Sequence, residues 1–263
     1  MDARLRRLVG VSALLTGILM VLGVYTAASG AGLTCAGRWP FCDGYLGLFP
    51  ANWSSFIEWF HRLVAMLTSF VVVGATVLSW RRGADRRVRL ALAAATILLP
   101  SQIVLGALTV TTYEWAILIA HFATASIIFT GVALAAAWAS LPRGRGRIRE
   151  TLAAVGLGLP ILAVLTPHAF VDFGPTAQAT YYLVGLGSYG GLLAATAWAN
   201  DAAADPTLAR VRYLTGAAAL VVVSLLVVGR LVYGGLLQYV SLGGSLLALA
   251  LVFAAWYTVG RNR

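Results

Sequence analysis

Two short stretches of this chain gather most of the side chains that can do chemistry. One is Cys35-Ala-Gly-Arg-Trp-Pro-Phe-Cys42, with cysteines seven positions apart in a run containing Gly and Pro. The other is Ile57-Glu58-Trp-Phe-His61-Arg62-Leu63, which sets a carboxylate and an imidazole three positions apart, hence on one face of a helix. Arg62 follows about a hundred degrees round that helix. Two cysteines on an oxidising face close a disulfide or stay as two free thiols, and no third cysteine competes as partner. Ionisable groups inside a membrane span are costly and are functional candidates by default. The plainer alternative for Glu58 is an i, i+4 pair with Arg62 that lets the helix end reach the interface.

A second intramembrane imidazole, His121, lies in an apolar run beginning near Trp115. At 1.5 Å per residue, His61 and His121 both fall about 10 Å from the starts of their stretches. Two imidazoles at matched depth on helices running the same way can face each other across a four-helix bundle, as the two axial ligands of a haem iron do. Zinc would want further Cys or His ligands nearby. The third histidine, His168, follows Pro167 at a stretch end and reads as a loop residue. Gln102 is a polar amide in an otherwise apolar run, and Arg230 stands near the end of another, placed to meet an anionic group or to snorkel to the surface.

The elements that must position these residues are membrane helices. The chain is 60% hydrophobic and 11% charged, with a mean hydropathy of +0.86, values of a polytopic membrane protein. Eight stretches are long and apolar enough to span, roughly 8–30, 54–80, 90–111, 115–140, 151–170, 179–199, 212–233 and 238–258. The net charge of +10 points to nucleic acid only until its placement is read. All 19 basic residues are arginine, and 16 of them stand in the terminal segments and every second connection. That is the positive-inside bias of a serpentine chain, with both termini cytoplasmic and the cysteine loop outside.

The expected fold is therefore all-α, with eight transmembrane helices arranged as two tandem four-helix bundles. Residues 1–145 form the unit with the histidines and the cysteine loop, and residues 146–263 form a second unit without haem-ligating histidines. A weak internal repeat supports this division. Gln102-Ile-Val-Leu-Gly-Ala-Leu aligns with Arg230-Leu-Val-Tyr-Gly-Gly-Leu, and Arg87-Val-Arg-Leu echoes Arg210-Val-Arg-Tyr. Gly243, Gly244 and Ser245 occupy the region that corresponds to His121.

Gly30-Ala-Gly32-Leu-Thr-Cys35, Trp39-Pro40-Phe-Cys42-Asp-Gly44, Ile57-Glu58-Trp-Phe-His61-Arg62 and Gln102-Ile-Val-Leu-Gly106-Ala-Leu-Thr-Val, together with His121, resemble the N-terminal half of the haem A synthase family over roughly residues 8–140. The resemblance implies an eight-helix oxidoreductase that converts a ring methyl of haem O to a formyl group for cytochrome oxidase. By it, His61 and His121 would ligate the haem iron, Glu58 would be the acidic group needed for activity, and Cys35 and Cys42 would form an outer disulfide. Arg62, Gln102 and Arg230 are candidates for the haem pocket or its propionates.

Members of that family carry a second histidine pair for haem b, which this chain lacks. Either no second haem is needed, or the second unit only packs, or a homo-oligomer or another protein supplies electrons. The expected partners are haem O, the lipid bilayer, a haem O synthase and an electron donor, with no nucleic acid. The expected location is the cell membrane, with the haem near the extracytoplasmic face. The rival class is a non-catalytic haem binder, either a b-type cytochrome or a haem-handling oxidase assembly factor. A repeat-built transporter would instead show broken helices and polar residues at the midplane.

Overall fold

The computed structural model describes every residue except 113, 141–143, 202–204, 232–233 and 262–263. Arg143 and Arg263, counted among the arginines above, lie outside the described residues. The described chain contains eight long helices: α1 (Ala3–Ala28), α2 (Trp53–Arg81), α3 (Arg86–Thr111), α4 (Trp115–Ala139), α5 (Arg145–Val164), α6 (Pro175–Asp201), α7 (Pro206–Gly229) and α8 (Leu236–Gly260). Three short 3₁₀ turns, Ala31–Leu33, Cys35–Gly37 and Tyr45–Gly47, shape the loop between α1 and α2.

Six of the eight helices, all but α5 and α6, are long and apolar enough to cross a membrane. This is a multi-pass membrane protein. The two that fall short do so for different reasons. α5 opens with Arg145, Arg147, Arg149 and Glu150 inside its twenty residues. α6 is long but carries Gln178, Tyr181, Tyr182, Ser188 and Tyr189, and it buries all five. A helix surrounded by other helices has no need of a uniformly apolar surface.

Helix ends differ from the sequence expectation where caps rather than hydropathy set them. Asp2, Asn52, Asp85 and Asp205 each accept a backbone N–H from the first turn of the helix they precede. α1, α3 and α7 therefore begin several residues before their apolar stretches do. α5 stops at Val164, short of the expected 170, and a turn follows in which His168 takes a positive φ of 54°. α7 stops at Gly229, so Arg230 is its C-cap rather than an interior residue.

α1, α2, α3 and α4 pack in a ring, each against the next and α4 back against α1. α5, α6, α7 and α8 close a second ring in the same cyclic order. The rings join chiefly where α6 lies against α1 and α4. Phe129 of α4 is the wedge at that junction: a Cβ added at Gly17 of α1 would sit 3.3 Å from its ring, and one at Gly190 of α6 would sit 3.4 Å away. Small residues let three backbones converge on one aromatic side chain. Thr130 and Tyr189 share a 2.7 Å hydrogen bond beside it.

One end of the molecule is held by arginine. Arg82 pairs with Asp2, Arg145 with Asp205, and Arg87 with both Asp85 and Asp201. Arg89 and Arg149 lie over the rings of Trp80 and Trp256. The start of α1 and the close of α8 both lie at this end, since Asp2 meets Arg82 and Gly260 abuts Arg149. The cysteine loop, Glu58 and His121 belong to the opposite end, reached by the N-termini of α2 and α4.

Candidate functional site

α2 starts at Trp53 because Asn52 caps it, accepting the Ser55 N–H at 3.0 Å. Its second turn then presents Glu58, and about one turn later His61 and Arg62. Glu58 is buried, and its Oε1 accepts a hydrogen bond from Nε of Arg62 at 2.7 Å. The i, i+4 pair foreseen as an alternative is therefore formed, but it does more than reach an interface. Nη1 of the same guanidinium donates to the backbone carbonyls of Arg38, Pro40 and Phe41, at 3.2, 3.4 and 3.0 Å. Arg62 thus ties the buried carboxylate to the loop that closes this end of the first ring.

That loop is pinned from several sides. Cys35 and Cys42 are joined by a disulfide and both are buried. Asp43 accepts the Ser55 hydroxyl at 2.6 Å and the Ala51 N–H at 2.9 Å. These bonds hold the Asp43 carboxyl below its ordinary value, the Ser55 contact being the stronger cause. Trp59 donates its indole N–H to the Leu48 carbonyl at 2.9 Å. Phe49, Trp53, Phe56, Trp59 and Phe60 run on as a chain of ring contacts 5.3 to 6.2 Å apart. The Cys35, Cys42 and Asp43 ligand atoms lie within 4.8 Å of one another. With the bridge closed there is no thiolate to bind a metal.

α2 and α4 are diagonal members of the first ring, with α1 and α3 between them. His61 is the ninth residue of α2 and His121 the seventh of α4, so they lie about 12 and about 9 Å along their axes. Each has a buried Nδ1 with no hydrogen-bond partner among the described residues. The flanking helices approach them through glycine: a Cβ at Gly23 of α1 would lie 2.9 Å from Cε1 of His61, and one at Gly106 of α3 would lie 3.7 Å from Cε1 of His121.

α3 has no fully buried residue between Ala95 and Val110, and α2 has none between Glu58 and Thr68. Gln102 of α3 donates to the backbone carbonyl of His121 at 3.4 Å. Arg230 enters from the other ring, with its guanidinium 5.7 Å from the centroid of Tyr182, whose ring packs against Phe122 next to His121 in α4.

The structure thus brings Glu58, His61, Arg62, Gln102, His121 and Arg230 to one end of the first ring, under the bridged loop. His168 is exposed and stands apart; its carbonyl accepts a hydrogen bond from Gln238. Sequence reasoning missed Gly23, Asp43 and Ser55. The last two lie within or beside quoted motifs, whereas Gly23 sits in an ordinary apolar run that gives no signal.

Residues 48–171 match the family model described as Cytochrome oxidase assembly protein. Over 121 residues, 46% of this chain, it is 40% identical to a Protoheme IX farnesyltransferase of Halobacterium salinarum (strain ATCC 700922), covering 27% of that protein. It is 33% identical over 123 residues to a Heme A synthase of Bacillus pumilus, covering 45% of this chain and 39% of the relative. A Heme A synthase of Bacillus licheniformis is 30% identical over 119 residues, 44% of this chain and 39% of that protein. The chain therefore spans well under half the length of these curated relatives.

Proposed function

We propose that this chain, whose residues 48–171 match the cytochrome oxidase assembly protein model and which is similar over part of its length to Heme A synthases, binds haem O between His61 and His121 and oxidises one ring methyl to a formyl group. The observation that supports the reading is a pair of imidazoles at similar depth on diagonal helices, each with a buried Nδ1 lacking a partner among the described residues and each approached by a glycine of a flanking helix. A haem iron takes two such side chains as ligands. Under the positive-inside rule the arginine-bearing end and both termini are cytoplasmic, all eight helices cross the cell membrane, and the site lies near the extracytoplasmic face.

In this reading the chain's residues bind, orient and exclude water. His61 and His121 fix the ring plane across the bundle. Glu58, one turn from His61, is the proton-handling group, and Arg62 holds it in place while drawing the loop over the site. The Cys35–Cys42 bridge keeps that loop compact. Attack on an unactivated methyl is beyond these side chains, so the bound haem with dioxygen supplies that chemistry. Two hydroxylations and loss of water give the formyl group, with electrons from a donor outside the chain.

Relatives of the same segment are named for protohaem farnesyl transfer. We therefore place the chain immediately after a prenyl-transferring enzyme that makes its substrate, as a partner of that enzyme. A second reading, a haem binder without catalysis, is favoured by one observation: the second unit has no histidine in α6, α7 or α8, so it offers no histidine pair like His61 and His121.

The test is extraction and mass identification of the haem from protein produced in a host that makes haem O. Haem A or its hydroxylated precursor in the wild type, lost in Glu58→Gln, supports oxidation. Protohaem alone, unchanged by that substitution, favours the second reading.

A further inference from the structure

We infer that Arg230, carried by the second four-helix unit, is the carboxylate-binding group of the haem site in the first, and that it takes a propionate of the bound porphyrin. The inference rests on the haem-binding reading of His61 and His121. It gives the second unit a part in a site whose histidines all belong to the first.

The surroundings of Arg230 make the argument. It caps α7, where its backbone N–H is taken up by the carbonyls of Val227 and Val228. A cation is favoured at this negative end of the helix dipole. From there the side chain does not snorkel away: the residue is half-buried, and Nη1 is buried without a partner among the described residues. Its guanidinium lies over Tyr182, whose ring meets Phe122 edge-on at 5.0 Å between centroids. Phe122 is the neighbour of His121 in α4. The cation therefore lies over a ring that packs directly against the helix turn carrying His121.

None of the described acids claims it. Glu58 is committed to Arg62, and Asp43 to Ser55 and Ala51. Asp2, Asp85, Asp201, Asp205 and Glu150 pair with arginines at the other end. Glu114 and Asp172 are exposed, and neither forms an ion pair with Arg230. Arg62, the other cation near the histidines, also keeps one buried donor, Nη2, without a partner among the described residues, but its charge is already met by Glu58 through Nε, and Nη1 goes to three loop carbonyls.

A guanidinium with a buried, unused donor in a membrane protein calls for an anion with planar, paired oxygens. The porphyrin is a ligand of this site that brings carboxylates with it. The repeat sharpens the point: Gln102, the sequence counterpart of Arg230, also reaches His121, but through a backbone carbonyl. The first unit supplies the amide and the second supplies the charge.

The experiment titrates the purified full chain with ferric protohaem and with its dimethyl ester, following the bis-imidazole absorbance. The wild type should prefer the free diacid by about tenfold or more. Arg230→Met should bind both alike with an unchanged spectrum, and Arg230→Lys should keep part of the preference. Equal binding of diacid and ester by the wild type overturns the inference even if the variants fail to fold. A diacid preference that survives Arg230→Met overturns it as well. Absence of a bis-imidazole spectrum with either ligand would instead remove the histidine assignment on which the inference rests.

Discussion

The two four-helix rings share a cyclic order of helices yet fill their centres in opposite ways. In the second ring Tyr181, Tyr182, Leu159, Leu162, Leu192 and Leu226 are almost wholly buried, and the hydroxyls of Tyr181 and Tyr182 donate to the carbonyls of Leu225 and Leu226. That is a dry, satisfied core. At the loop-covered end of the first ring the corresponding space is bordered by His61, His121, Gly23 and Gly106, and two imidazole nitrogens are left without partners. A buried polar atom without a partner costs about 1–3 kcal/mol. Evolution of a plain core would have removed both. On the haem-binding reading proposed above, the same four-helix arrangement serves as a packing block where tyrosine fills it and as a holder where histidine and glycine stand instead.

The most direct way to break this contrast is to empty the holder. His61→Ala or His121→Ala should lower haem retention by more than about a hundredfold, since the loss of even an outer-shell partner costs 10–100-fold at a metal site. Haem per polypeptide after purification measures it, and wild-type-like occupancy in either variant would remove that histidine as a ligand. The next largest effect is expected at Arg62. Arg62→Met leaves Glu58 buried without its cation, a loss of about 3 kcal/mol for a buried pair, and releases the loop carbonyls of Arg38, Pro40 and Phe41. Thermal unfolding should shift downward, and proteolysis between residues 36 and 50 should speed up. Arg62→Lys should restore charge without the forked contacts and fall between the two.

The comparison is sharpened by glycines on the two sides. Gly23→Ala places a Cβ 2.9 Å from the ring of His61. Overpacking of that kind costs about 1–3 kcal/mol, so haem affinity should fall about tenfold. Gly191→Ala in the second ring meets Val155 at the same 2.9 Å, yet it should leave haem affinity within about twofold and alter stability alone. Gly106→Ala, at 3.7 Å from His121, makes an ordinary contact and should be the mildest of the three. Parallel absorbance titrations and melting curves separate these outcomes.

Much of this was legible in the sequence, and what was not has physical causes. Eight helices follow from hydropathy, and the gathering of arginine at one end of the molecule from its placement in every second connection. His61 and His121 could be matched in depth because rise per residue is fixed. The helix ends were less visible: Asp205 and Asp2 extend helices through polar turns that a hydropathy window discards. The role of Arg62 was half visible. Its spacing from Glu58 is a helical rule, but its hold on three carbonyls depends on a loop whose path no periodicity encodes. Gly23 was invisible, because a glycine in an apolar helix means something only once its neighbour is known. Arg230 was visible as an oddity, but only the packing of α7 against α4 and α6 brings it over Tyr182 and close to Phe122.

The smallest effect concerns acid, and it lies at the loop, for which the second ring has no covalently bridged counterpart among the described residues. Asp43 is held below its ordinary value by the Ser55 hydroxyl and then by the Ala51 N–H. A carboxyl lowered in the folded state contributes stability that is present above its unfolded value and lost as pH falls through the folded one. The anchoring of the loop to α2 should therefore persist to pH values below the usual carboxylate range. Ser55→Ala removes the larger cause, so the acid loosening should begin at higher pH, whereas Asp43→Asn should abolish the transition and leave a weaker, pH-independent anchor. Fluorescence of Trp59, whose indole is bonded to Leu48 in the same loop, follows the change on acid titration. If the wild type and Ser55→Ala loosen at the same pH, Asp43 is not what fastens the loop, and the bridge and Arg62 must hold it without help.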